Sequence, residues 1–128
     1  MVMGKGKPKS KLDYTQKHLY FGNGGGFSGT IQQWVISEKG HLYKLIPTQH
    51  AIDSIVWIKK INKSTRKSLF NTFYFIEKTL KTLDEPGNTY YFIRMERSNH
   101  NTTYIWNYTT TNTTVLTEFY ETLYQLIS

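Results

Sequence analysis

Apolar and polar positions along the chain change their spacing partway through. From His18 to Phe21, Phe27 to Ile36, His41 to Ile46 and Ile52 to Ile61, β-branched and aromatic residues come in short runs. Runs of that length suit half-buried strands. The first run enters a glycine-rich turn, Gly22-Asn23-Gly24-Gly25-Gly26-Phe27-Ser28-Gly29, and Glu38-Lys39-Gly40 makes a compact hairpin turn. After residue 61 the spacing becomes helical. Leu69, Phe70, Phe73, Ile76 and Leu80 fall on one face of a helix predicted over 64–82, which Asn62 or Ser64 can cap. Asp84-Glu85-Pro86-Gly87-Asn88 ends it, because proline cannot continue a helix and Gly-Asn is turn chemistry.

Strand spacing then returns in Thr89–Glu96 and Thr102–Tyr108, with the polar turn Arg97–Asn101 between them. A second amphipathic helix is predicted over 114–127, its stripe formed by Val115, Leu116, Phe119, Leu123, Leu126 and Ile127. The order ββββ-α-ββ-α predicts an α+β fold: a mostly antiparallel sheet of about six strands with two helices on one face. Residues 1–17, in which lysines alternate with Gly, Pro and Ser, read as a flexible basic leader or tether. Residues 18–128 read as a single domain.

Composition narrows the function. With 128 residues the chain can build one ordinary core, and 16% aromatic content argues against global disorder. The net charge of +7 would direct attention to nucleic acid. Five lysines of the first twenty residues carry much of it, however, and the rest centres on Lys59, Lys60, Lys63, Arg66 and Lys67. The absence of cysteine rules out disulfides, thiolate zinc sites and a cysteine nucleophile. No run approaches the ~20 apolar residues of a membrane helix, and no apolar signal segment follows the first lysines.

Gly24-x-Gly26-x-x-Gly29 fits the G-x-G-x-x-G pattern, but here it opens a strand, whereas a dinucleotide site needs it to open a helix. The glycines therefore serve either close backbone approach, beneath Trp34 or Trp57, or presentation of backbone to a partner. Neither the spacing of His18, His41, His50 and His100 nor their neighbours suggests a metal site, and they read as surface or turn residues. Trp57 and Trp106 read as core or sheet-face residues. No catalytic triad is legible. The chain is expected to be a non-enzymatic monomer without cofactor or metal. Its candidate partner-binding residues are Gly24, Gly25, Gly26, Phe27, Pro86, Gly87, Asn88 and His100, and its candidate basic patch is Lys59, Lys60, Lys63, Arg66 and Lys67.

Five stretches carry a resemblance. Phe21 to Gly29, Pro86 to Ile93 with Leu42-Tyr43-Lys44, and Thr103-Tyr104-Ile105-Trp106 with the Leu116–Leu126 helix resemble small Bacteroidetes proteins. These share a GGGFTG-like opening and a PGN segment, and are usually exported as lipoproteins. Gly25-Gly26-Phe27 and the order of elements are more distantly similar to emfourin-type inhibitors of thermolysin-like metalloproteases. The resemblance implies an extracytoplasmic protein-binding module, at the periplasm or outer-membrane surface, whose loops plug a protease cleft. A cytoplasmic member is the expectation if the sequence is the complete native chain. The alternatives are a nucleic-acid or anionic-surface binder acting through residues 59–67, and a structural envelope component.

Overall fold

In a computed structural model, residues 12–26, 29–47 and 54–128 are described. The strands are β1 (His18–Gly25), β2 (Gln32–Ser37), β3 (His41–Ile46), β4 (Ser54–Lys60), β5 (Leu83–Asp84), β6 (Thr89–Arg97) and β7 (His100–Trp106). Helix α1 (Lys63–Thr79) follows β4, and α2 (Thr114–Gln125) follows β7. The fold is α+β. One sheet has the order β4-β3-β2-β1-β6-β7-β5, antiparallel except for β5, which runs parallel to β7. No helix among the described residues is long and apolar enough to cross a membrane.

Seven strands replace the expected six. The added strand has two residues, too few to show periodicity, and it forms because Leu83 lies alongside Tyr104 of β7. The Glu85 N–H also reaches the Ile105 carbonyl at 2.9 Å. Helix α1 therefore stops earlier than residue 82. Leu80 is extended (φ −128°, ψ 131°), and its carbonyl accepts the Tyr104 hydroxyl at 2.9 Å. At its start, the Asn62 side chain accepts the Thr65 N–H at 2.9 Å, which satisfies a first-turn donor. Strand β7 begins at His100 and pairs with Arg97, so the hairpin turn shrinks to Ser98-Asn99. Strand β2 is shorter than expected because Gly29 to Ile31 are not strand.

The largest revision concerns the glycines. Gly22, Gly24 and Gly25 do not form a turn; they lie in β1, a central strand paired with both β2 and β6. On one face of the sheet, Leu19 and Phe21 oppose Ile36 and Trp34 of β2 and Met95 and Ile93 of β6. These residues join Leu69, Phe70, Phe73 and Ile76 of α1 and Leu116, Phe119, Tyr120 and Leu123 of α2 in one buried cluster. Burying each large apolar side chain stabilises the fold by about 1.5–3 kcal/mol. On the other face, Tyr20, Val35, Tyr43, Leu45 and Phe92 form a smaller cluster, against which Leu12 packs.

Strand direction sorts the connections into two groups. Gly26, Thr30, Ile31, residues 85–88 and residues 107–113 gather at the end where β1 finishes and β6 begins. The β2–β3 turn, the start of α1 and the Ser98-Asn99 turn lie at the opposite end. Of the two tryptophans expected in the core or on the sheet, Trp106 is buried. Trp57, on the edge strand β4, is 42% exposed and donates through Nε1 to His41 Nδ1 at 3.1 Å.

Candidate functional site

Glycine is ordinarily depleted in strand interiors, and β1 shows why it is present here. Gly22 faces Phe92, and Gly24 faces Tyr90, across the β1–β6 ladder. A Cβ at Gly22 would stand 2.8 Å from the Phe92 ring and 2.0 Å from the Gln32 carbonyl oxygen. At Gly24 it would stand 2.7 Å from the Tyr90 hydroxyl. The two aromatic rings thus occupy the space that side chains on β1 would fill. The expected close approach is real, but its partners are Phe92 and Tyr90 instead of Trp34 or Trp57.

Gly25 and Gly26 carry the chain out of the sheet at positive φ, 94° and 80°. Gly25 is enclosed, since a Cβ there would meet the Asn88 carbonyl oxygen at 2.0 Å. Gly26 is exposed and has only the Thr89 hydroxyl near its missing Cβ, at 4.0 Å. Its N–H donates to the Asn88 carbonyl at 2.7 Å. Gly25 and Gly26 therefore meet Asn88 at one end of the sheet, with Gly24 one pair further in and Pro86 and Gly87 in the loop ahead of Asn88. Phe27 lies outside the described residues, as does His50.

Asn107 ties the next loop to this pair. Its side-chain amide donates to the Glu85 carbonyl at 2.8 Å, and its Oδ1 accepts the Thr109 N–H at 2.8 Å. Beside it, Tyr108 stands 87% exposed, and Ile31 is 46% exposed on the glycine side. A cleft of about 360 Å³ runs between Tyr91, Trp106 and Tyr108 on one side and Thr113, Thr117 and Glu121 on the other. Tyr120 forms part of its wall. Its hydroxyl accepts from the Asn23 amide at 3.0 Å, and its ring meets Phe21 and Trp106 edge-on. Sequence reasoning missed this strand-to-helix clamp, because nothing local pairs Asn23 with Tyr120.

His100 does not join this group. It sits at the far end of the sheet, where α1 is fastened to the β6–β7 hairpin. Glu77 receives Arg97 through two nitrogens, at 2.6 and 3.2 Å, and also accepts from the Thr102 hydroxyl. His100 Nε2 lies 3.5 Å from the same carboxylate. Chiefly through the Arg97 hydrogen bond, the Glu77 carboxyl is held below its ordinary range. Helical position alone reads Glu77 as a solvated residue; the hairpin makes it a half-buried anchor. His18 also departs from the surface role expected of it: it is buried, and burial lowers its pKa.

The basic residues fall on two consecutive elements, β4 and α1. The Lys59 ammonium donates to the Ser128 backbone oxygen at 3.2 Å, and Lys60 lies opposite His41, whose pKa burial lowers first and Lys60 second. Lys63, Arg66 and Lys67 belong to the first turns of α1. Among the described residues, no three His, Asp or Glu side chains converge to hold a metal ion. Neither a protein-family model nor a curated protein matches the chain.

Proposed function

We propose that the chain is a non-enzymatic, extracytoplasmic protein-binding module that engages its partner through the loop end of the sheet, and that the partner class is a peptidase. Both helices back one face of the sheet in this reading, leaving the loop end free. The observation that carries it is the joint between Gly26 and Asn88, which fastens two loops distant in sequence into one exposed surface. The residues exposed there are of a particular kind: Thr30, Ile31, Pro86, Gly87, Asn88, Tyr108, Thr109 and Asn112. Tyr, Gly and Asn with small polar residues are the composition of loop paratopes, in which tyrosine supplies contact area at small entropic cost. These residues carry no charge, and Glu85 is the one exposed ion of the 85–88 loop, so docking would require stripping water from few ions.

Likeness of the glycine opening to emfourin-type inhibitors supports a peptidase as the partner, with loops entering a cleft as an unreactive plug. The test is titration of a thermolysin-like metalloprotease with the intact chain. Stoichiometric loss of peptide hydrolysis without cleavage of the chain is the expected result. Tyr108→Ala and Ile31→Lys should each relieve inhibition while leaving the fold intact. Undiminished hydrolysis at molar excess would remove the peptidase reading.

A further inference from the structure

A concavity of about 210 Å³ opens at the opposite end of the molecule from the loop surface, and the loop reading makes no use of it. Three segments distant in sequence build it: Lys17 ahead of β1, Glu38 in the β2–β3 turn, and Arg66, Lys67, Phe70 and Tyr74 along α1. The α1 residues recur at helical spacing, so they share a face. Three cations against one carboxylate give the concavity a positive balance.

Two of the three cations are held in place by their neighbours. Gly40 lacks the Cβ that would stand 3.2 Å from Arg66 Cδ, so the arginine stem lies against the turn. Lys17 is fixed at both ends. Its backbone N–H donates to Glu38 Oε1 at 3.0 Å, and its ammonium stands over the Tyr74 ring, 5.4 Å from the centroid. Lys67 adjoins Arg66 on the helix. The Lys and Arg ion pairs found among the described residues join Arg94 to Glu96 and Arg97 to Glu77. Arg66, a half-buried residue, thus brings its guanidinium to the concavity with no carboxylate paired to it.

We propose that this concavity is a binding site for a phosphate-class oxyanion, either inorganic phosphate or a phosphomonoester. A guanidinium fork matches two oxygens of such an anion, and lysine ammoniums add point charge. Phe70 and Tyr74 give the site an apolar wall, which suits a phosphomonoester on an aromatic group better than bare phosphate. The volume admits a phosphate and its ester oxygen, so the site recognises one anionic group and not a run of nucleotides.

The test is calorimetric and NMR titration of the intact chain with inorganic phosphate and with phosphotyrosine, and separately with oligothymidylate. Saturable binding of either phosphate probe, with shifts confined to residues around Lys17, Glu38 and Arg66, is expected. Arg66→Gln should weaken it roughly tenfold or more, the loss of hydrogen bonds to a charged group. Lys67→Gln and Lys17→Gln should weaken it less, and Lys81→Gln not at all. Tighter binding of phosphotyrosine than phosphate would assign the apolar wall to the ligand; equal affinity would assign the site to the free anion. Should Arg66→Gln fail to fold, the contrast of Lys67→Gln with Lys81→Gln decides. The proposal is overturned if neither phosphate probe saturates. Unchanged affinity in the folded variants overturns it too, as does binding confined to oligothymidylate with every lysine equivalent.

Discussion

The Gly26 amide donates to the Asn88 carbonyl at 2.7 Å, and that contact closes the β1–β6 ladder while holding two loops in one surface. It also separates the glycines by task. Gly22, Gly24 and Gly25 before it are packed within the sheet, and Gly26 and Gly29 face solvent.

That separation is measurable in stability. Gly22→Ala and Gly25→Ala each force a Cβ to 2.0 Å from a backbone oxygen, and Gly25 is in addition at positive φ. Overpacking of this kind costs about 1–3 kcal/mol or more, so both variants should show clearly lowered denaturation midpoints. Gly26→Ala meets open space and carries only the left-handed backbone penalty, about 1–2 kcal/mol. Urea unfolding of the three variants should rank Gly26→Ala as the mildest.

The Asn23–Tyr120 clamp predicts a graded series. Tyr120→Phe removes one hydrogen bond and should cost about 1 kcal/mol. Tyr120→Ala also deletes a buried ring packed against Phe21, Tyr91 and Trp106, and should cost about 3–5 kcal/mol. Thermal unfolding monitored by tryptophan fluorescence would read both, since Trp106 adjoins the ring.

Acid should destabilise the fold in two stages. His18 and His41 have pKa values lowered from 6.5, mainly by burial. The stability that comes from their neutral rings is complete above pH 6.5 and is lost as pH falls through their folded pKa values. Around His18, Asp13, Glu38 and Glu96 favour protonation, whereas Lys39 and Lys60 oppose it at His41. Stability measured from pH 8 downward should begin to fall below 6.5, and less so in His18→Gln.

Glu77 governs the second stage. Its carboxyl is lowered from 4.5, first by the Arg97 hydrogen bond, with burial opposing and Thr102 assisting. The contribution of the ionised form is complete above pH 4.5 and is lost as pH falls through the folded value. Glu77→Gln should lower stability at pH 7 by about 1.5–3 kcal/mol and flatten the pH dependence below 4.5. An unchanged acid limb in that variant would place the titrating group elsewhere.

Much of the fold is visible in local spacing. Leu69, Phe70, Phe73 and Ile76 repeat as a helix face must, and all four are buried in α1. The glycine run misleads for a physical reason: strand propensity counts glycine against a strand, and the Tyr90 and Phe92 rings with the Gln32 and Asn88 carbonyls, all distant in sequence, leave room for nothing larger. Strand β5 escapes notice because two residues have no period. Meeting of Gly25 and Gly26 with Asn88 depends on β1–β6 pairing, which no short window contains. The same pairing sends His100 to the other end. Lys17, read as part of a tether, gains its place beside Arg66 only through Glu38 and Tyr74.

If the loop end fastened by Gly26 and Asn88 is the partner-binding surface, its exposed tyrosine must carry affinity and not stability. Inhibition of a thermolysin-like metalloprotease by the parent chain and by Tyr108→Ala, with melting temperatures measured on the same samples, tests it most directly. Stoichiometric inhibition by the parent chain, at least a roughly tenfold loss in the variant from a truncated interface tyrosine, and equal melting temperatures are expected. Equal inhibition by both proteins, or none by the parent, would contradict it.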